Sequence, residues 1–380
     1  MSRKTKASKK RLNDLLLILL LTAVLLIMST YAWFTANRTV RIDSIDVEVA
    51  TSSGLQISAN GKDWKMIIDK QNILDAYQDY EVTPVNQLPA LMAPVSSALE
   101  LDNSGHIKMF YGKVEAVDDE DQYLLTSTLQ TDVESSTVSE DDLKANEYAK
   151  GYYMAFDVYL KVEADAENLY MSGTVEEPVN AGETKKGLEN AARVALVKCV
   201  DNEIEATDAT LSNVQGISTA GGKVFMWEPD ADVHTQNGIN NAVQLGWFAA
   251  GGLGLTDNAP IAYSGIKQEF EDVELERALA SDDDYGSNFK VIQDNTDTDN
   301  TIWQTDAGEV PSFEIGGLKA GISKLRVYFW IEGQDIDCEN NASGTDVQFA
   351  LKFSLDPISG NAEPDPDPDP DPDPDPDLGG

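Results

Sequence analysis

Strict two-residue alternation of apolar side chains is the feature that most constrains this chain. Ile45-Asp46-Val47-Glu48-Val49 alternates completely, and Phe156-Asp157-Val158-Tyr159-Leu160-Lys161-Val162 and Val347-Gln348-Phe349-Ala350-Leu351-Lys352-Phe353-Ser354 do so largely. A period of two puts one side of an extended segment in a core and the other in water, so each run predicts a half-buried strand. Val40-Arg41-Ile42 adds a further short run, and the phase slip at Asp43-Ser44 predicts a bulge. Gly54–Ser58 follows and ends at the turn signal Ala59-Asn60-Gly61. More strands are expected at Lys108–Val117, Tyr152–Glu163, Ala192–Val200, Lys223–Trp227, Gln244–Phe248, Phe289–Ile292, Ser323–Glu332 and Asp346–Leu355. Helical patterns are few. Glu140–Lys150 and Lys267–Ala280 are the best, and both read as surface insertions. Many short strands between acidic loops predict an all-β fold, a jelly-roll-like two-sheet sandwich with helical and loop insertions. The domain is expected over residues 50–360, with an insertion or subdomain at about 201–311.

Composition matters for what it excludes. The 380 residues carry 66 Asp+Glu against 28 Lys+Arg, a formal net charge of -38. Such a field repels phosphate backbones, so nucleic acid is excluded as a partner. The two histidines, His106 and His234, leave little room for His-based triads or zinc hydrolase sites, and both read as surface residues in turn or loop contexts.

The two ends read differently from the body. Arg3, Lys4, Lys6, Lys9, Lys10 and Arg11 precede an apolar run from Leu15 to Met28, and Ser29-Thr30-Tyr31-Ala32 follows. A basic start, a short apolar run and a small-x-small end describe a secretory signal over residues 1–32, cleaved after Ala32. The competing reading is a retained anchor, since the mostly apolar stretch reaches 20 residues if extended to Phe34. Membrane contact is expected only through this segment before cleavage. At the other end, residues 361–380 contain seven consecutive Pro-Asp pairs from Pro364 to Asp377. Alternating proline removes every second backbone donor, which predicts an extended polyproline-II-like rod about 43 Å long at 3.1 Å per residue.

Thr30-Tyr31-Ala32-Trp33-Phe34-Thr35-Ala36-Asn37-Arg38-Thr39-Val40 resembles the export junction of SipW-dependent secreted proteins of Gram-positive bacteria, the TasA/camelysin group. Gly54–Ser58, Asp63-Trp64-Lys65 and the segment from Val327 to Cys338 resemble uncharacterised clostridial surface proteins with this type of signal. The resemblance implies a jelly-roll domain, placement outside the cell or on its surface, and polymerisation into biofilm fibres. It also implies that residues 33–49 add as a donor strand to the next subunit, through Trp33, Phe34, Val40, Ile42, Ile45, Val47 and Val49. On that reading the partners are further copies of the chain and other matrix or surface proteins. Replacing Val47 with Asp is then expected to abolish polymers and leave a folded monomer. The residues alone equally allow 40–49 to be the first strand of their own domain.

Chemistry-bearing motifs are weak. Asp335, Asp337, Glu339 and Asp346 approach a calcium-loop spacing, but Asn340 stands at the sixth position and Asp at the twelfth; a solvated acidic loop is the competing reading. Calcium is the one cofactor this spacing allows. Cys199 and Cys338 are the only two cysteines, and in an exported chain they are either a disulfide or two buried thiols. Neither His-Glu-x-x-His nor Gly-x-Ser-x-Gly occurs. Trp227, Trp247, Trp303 and Trp330 read first as packing residues and second as a carbohydrate platform. The expected function is therefore a non-catalytic structural subunit of an extracellular filament. The alternative is a monomeric surface adhesin or binding module on the Pro-Asp spacer.

Overall fold

The computed structural model describes residues 40–50, 54–79, 86–117, 122–132, 150–180, 183–199, 204–205, 209–239, 263–274, 285–292, 300–338 and 345–358. The signal segment, Trp33, Phe34, Gln244–Phe248, Glu339 and the Pro-Asp tail lie outside the described residues.

Eighteen strands occur among the described residues. The first nine are β1 (Val40–Val49), β2 (Gln56–Ser58), β3 (Ile67–Asp69), β4 (Leu91–Met92), β5 (Met109–Val117), β6 (Gln122–Gln130), β7 (Lys150–Gly151), β8 (Met154–Val162) and β9 (Tyr170–Glu176). The others are β10 (Ala192–Lys198), β11 (Val224–Glu228), β12 (Tyr263–Ile266), β13 (Phe270–Glu274), β14 (Phe289–Ile292), β15 (Thr301–Gln304), β16 (Phe313–Glu314), β17 (Gly321–Ile331) and β18 (Asp346–Ser354). Short helices α1 (Lys70–Asp75), α2 (Leu211–Gln215) and α3 (Tyr285–Asn288) interrupt them. Asp69 caps α1 by accepting from the Asn72 backbone N–H at 2.8 Å.

Two sheets form the sandwich. One has the order β16-β9-β18-β1-β4-β7, with β3 also paired to β1; the other has the order β15-β11-β10-β17-β8-β2. Their facing side chains build the main core: Ile45, Val47, Phe349, Leu351 and Phe353 from the first sheet meet Phe156, Val158, Leu196, Leu325, Val327 and Phe329 from the second. The rings of Phe329 and Phe349 lie 5.1 Å apart. The expected bulge is present, as a register shift between Ile42 and Ser44 in the β1–β18 pair.

The second sheet is covered on both faces, which the alternation did not foretell. A three-stranded sheet, β13-β6-β5, and a two-stranded sheet, β12-β14, form the remaining β-structure. Met109 of β5, Tyr263 of β12 and Ile292 of β14 pack with the outward residues Ala155, Ala195, Met226, Tyr328 and Trp330 into a second apolar cluster. β12 lies so close to the 95–99 segment that a Cβ on Gly265 would sit 2.2 Å from the Ser97 carbonyl oxygen. All eleven residues of β17 are consequently buried.

Two expectations are corrected here. Residues 201–311 are not set apart, because β11 and β15 belong to the second sheet itself. The helix expected at Lys267–Ala280 is instead strand β13 over Phe270–Glu274, pairing with β6. Phe270 needs a strand's geometry there: its ring packs 5.5 Å from Phe289. Of the helix expected at Glu140–Lys150, only Lys150 is described, and it belongs to β7.

Candidate functional site

The residues expected to link subunits come together in one place. Val40, Ile42, Ile45, Val47 and Val49 all point inward from β1, and none is more than 4% exposed. Arg41, Asp43, Asp46 and Glu48 point outward, as the alternation requires. β18 runs parallel along one side, with Ile45 opposite Phe349, Val47 opposite Leu351 and Val49 opposite Phe353. The other side pairs antiparallel with β3, where Val47 faces Ile68, and with β4, where Val40 faces Met92. Bonds at the margins extend the ladder: Arg41 N donates to Thr345 O at 3.1 Å, and Ala50 N donates to Phe353 O at 2.9 Å. On the outer face Lys352 Nζ lies 2.9 Å from Glu48 Oε1. The strand thus fills a slot between the two flanks of its own sheet. With Val47 fully buried there, aspartate at that position would break the subunit itself and would not leave a folded monomer. A parallel neighbour cannot be reached by a hairpin, so β1 and β18 meet as the first and last strands of the described fold.

Two of the four proposed calcium ligands, Asp335 and Asp337, are bonded to other protein groups. Asp335 Oδ2 receives Arg193 Nη2 at 2.5 Å, and its Oδ1 accepts from the Asp337 backbone N–H at 2.8 Å. Asp337 pairs with His234 Nδ1 at 2.8 Å and accepts from Thr235 N at 2.7 Å. Asp346 starts β18, opposite Arg41. No metal-holding group of three or more His, Cys, Asp or Glu occurs among the described residues. Asp335 and Glu228 flank the buried Arg193 guanidinium and compensate its charge. His234, expected at the surface, is an enclosed ion-pair partner with its side chain 5% exposed.

That network occupies one end of the second sheet's covered face. Arg193 also bonds Glu228 at 2.7 Å, and its guanidinium lies 5.0 Å from the Tyr263 ring centre. Burial opposes the Arg193 charge, but Glu228 and Asp335 outweigh it and hold the guanidinium protonated. Burial raises Glu228 against the pull of Arg193, and raises Asp337 against its bond to His234. Glu332, fully buried, accepts from Trp330 Nε1 at 3.0 Å and from Gln334 N at 3.1 Å. Burial pushes its carboxyl up to about 7.

A second network lies along the same face. Arg326 reaches Asp132 and Asp157, each at 2.8 Å, and Lys324 reaches Asp157 at 2.9 Å. Tyr153 and Tyr328 donate to Asp132 at 2.7 and 3.1 Å. Burial raises the Asp157 carboxyl, but Lys324 and Arg326 together hold it below its ordinary value. Two cations and two carboxylates close this set.

Cys199 and Cys338 are both buried and are not joined by a disulfide. Cys199 packs with Tyr159 and Val214 beneath α2, whereas Cys338 belongs to the core between the sheets. His106 sits in a turn, its backbone N–H donating to Asp102 at 2.9 Å. Trp227 and Trp330 are core residues. Trp303 stacks with Phe225 at 5.6 Å and with Phe313 at 4.4 Å between ring centres. The slot joins the five described residues that the sequence singled out for subunit contact, and one ionic network joins Asp335 and Asp337. No protein-family model, no curated protein and no solved structure matches this chain.

Proposed function

We propose that this chain is an exported, non-catalytic structural subunit of an extracellular filament or biofilm-matrix fibre, assembled by exchange of β1 between neighbouring subunits. The observation that carries the reading is the slot: one terminal strand, paired on both sides, closes a sheet that would otherwise fall into three parts. In an exchange, the β1 of one copy enters the same slot in the next. Every contact is then kept, and only the connection between Ala50 and Gly54 takes a new path. Addition at an edge of either sandwich sheet has less support, because their outermost strands β2, β7, β15 and β16 have only 3, 2, 4 and 2 residues. The enclosed ionic networks also favour a structural role, since their charged groups are spent on each other. A signal cleaved after Ala32 would release β1 from the membrane and permit the exchange.

The test uses the opposed pair Glu48 and Lys352 on the outer face of the slot. Two chains, Glu48→Cys and Lys352→Cys, are co-assembled and oxidised. Exchange gives a disulfide-linked heterodimer, and the doubly substituted chain gives a ladder of linked multimers. If the double variant forms filaments yet links only within single chains, β1 stays at home and the mechanism fails. Filaments are absent altogether if the chain is a monomeric surface-binding module.

A further inference from the structure

A cleft of about 430 Å³ opens beside the ends of β10 and β11, bounded by the loop at 166–167 and by residues 315–319. Its lining includes Lys198, Lys223 and Lys319 and a single acid, Glu167. In a chain with 66 acidic and 28 basic residues, three lysines against Glu167 and the neighbouring Asp165 leave a local excess of positive charge. The cations are held in place by distinct devices. Lys198 Nζ donates to the Gly317 carbonyl. The Lys223 ammonium lies 5.5 Å over the Phe225 ring. Lys319 lies 3.0 Å from Asp165 at the rim. Gly316 has φ +83, and a Cβ there would sit 3.7 Å from Lys198 Nζ, so the glycine both takes the left-handed turn and leaves room above that ammonium.

The described chain ends against the segment that leads into one cleft wall. Ile358 N donates to Ser312 Oγ at 2.9 Å. Ser312 precedes Ile315, the first lining residue of that wall, by three residues. The repeat begins at Pro364, six residues beyond Ile358, a span of about 20 Å when extended. Its seven aspartates recur at every second residue, about 6 Å apart at a 3.1 Å rise.

We infer that the lysine-lined cleft is a docking site for an acidic extended peptide, and that its occupant is the chain's own Pro-Asp segment. Charge complementarity and the short tether favour this occupant. Tethering raises the local concentration of carboxylates to about millimolar levels, which lets weak, exposed ion pairs add up. Proline pre-sets the extended form, so little further ordering is needed on docking. The inference does not depend on strand exchange.

Carbodiimide coupling of the full-length chain at low concentration tests it, because the reagent joins amines to carboxylates already in contact. Mass spectrometry should find links within one chain from Lys223 or Lys319 to Asp365–Asp377. Such links should exceed those from other exposed lysines, such as Lys62 and Lys113, and fall at least threefold in 0.5 M salt. The Lys319–Asp165 link is the internal control for reagent activity. In a full-length chain with the seven aspartates replaced by Asn, acetylation of Lys223 should speed up at least threefold. Tail links spread evenly over exposed lysines, links only between chains, or an unchanged Lys223 acetylation rate would each overturn the assignment. A Lys223→Gln, Lys319→Gln chain should melt at the wild-type temperature and lose the tail links; tail links persisting elsewhere in that chain would also count against it.

Discussion

Replacing Glu332 with Gln isolates the cost of one carboxylate buried beneath the third layer. In the folded chain its pKa is about 7, against 4.5 for an ordinary glutamate, and desolvation is the main cause. A raised carboxyl pKa favours the protonated form in the fold. Its contribution is therefore fully present below pH 4.5 and is lost as pH rises to about 7. At 1.36 kcal/mol per unit, the shift amounts to about 3.4 kcal/mol in full, of which about 2.5 kcal/mol falls between pH 5 and pH 8. Glutamine cannot ionise, so the variant lacks this loss. It pays a fixed penalty for presenting an amide to the donors Trp330 Nε1 and Gln334 N, but that penalty does not change with pH. Other buried acids titrate in both chains, so their slopes cancel in the difference. Urea unfolding of both proteins at pH 5 and pH 8 should show the variant gaining about 2.5 kcal/mol relative to wild type over that interval. Parallel stability curves would mean that Glu332 is not the desolvated acid described here.

Three further outcomes follow from the geometry. Val47→Ala should cost about 2 kcal/mol by opening a cavity in the main core, and Val47→Asp should abolish the folded far-UV spectrum; a folded Asp variant would contradict the burial of β1. Asp157→Asn strips Arg326 and Lys324 of a shared buried partner and should cost about 3–5 kcal/mol in denaturant unfolding, whereas a surface pair would cost under 1 kcal/mol. Thiol titration should find both cysteines unreactive in the native chain and two reactive thiols in denaturant without reductant; fewer than two would indicate a disulfide.

What was legible in the sequence was whatever repeats with period two against a single core. β1 and β18 show this plainly, down to the bulge, because one face of each meets the core and the other bears charge. β17 shows where that reasoning stops. Lys324 and Arg326 alternate with Leu325 and Val327 as solvent-facing residues would, yet both are buried under the added layer. Alternation reports polarity, and a polar residue on a covered face looks the same as one in water until its partners are known. Those partners, Asp132 and Asp157, lie 194 and 169 residues away from Arg326, so no local pattern could pair them. The acidic spacing at 335–346 shows the same limit: Asp335 and Asp337 are bonded to Arg193 and His234, both remote in sequence. β13 was misread as helix because its partner β6 is likewise distant.

The slot raises a question of competition. Since the same contacts form whether β1 comes from its own chain or a neighbour, the enthalpy of packing does not choose between them. The choice rests on concentration: an attached β1 competes at an effective concentration of about millimolar, and a neighbour's β1 wins only when subunits are comparably crowded or when the home strand is held away. On the proposed reading, export would offer both conditions: a membrane-held N-terminus would keep β1 out of the slot, and secretion would deliver subunits close together. The same logic can be run in solution. Chain unfolded in urea and refolded by dilution to micromolar concentration should close on itself and elute as monomer. Refolding at about millimolar concentration should yield linked oligomers that persist after dilution, since leaving the slot requires withdrawing five buried side chains worth about 1.5–3 kcal/mol each. If the oligomer fraction is the same at both concentrations, or if oligomers fall apart within minutes of dilution, the strand is not what joins the subunits.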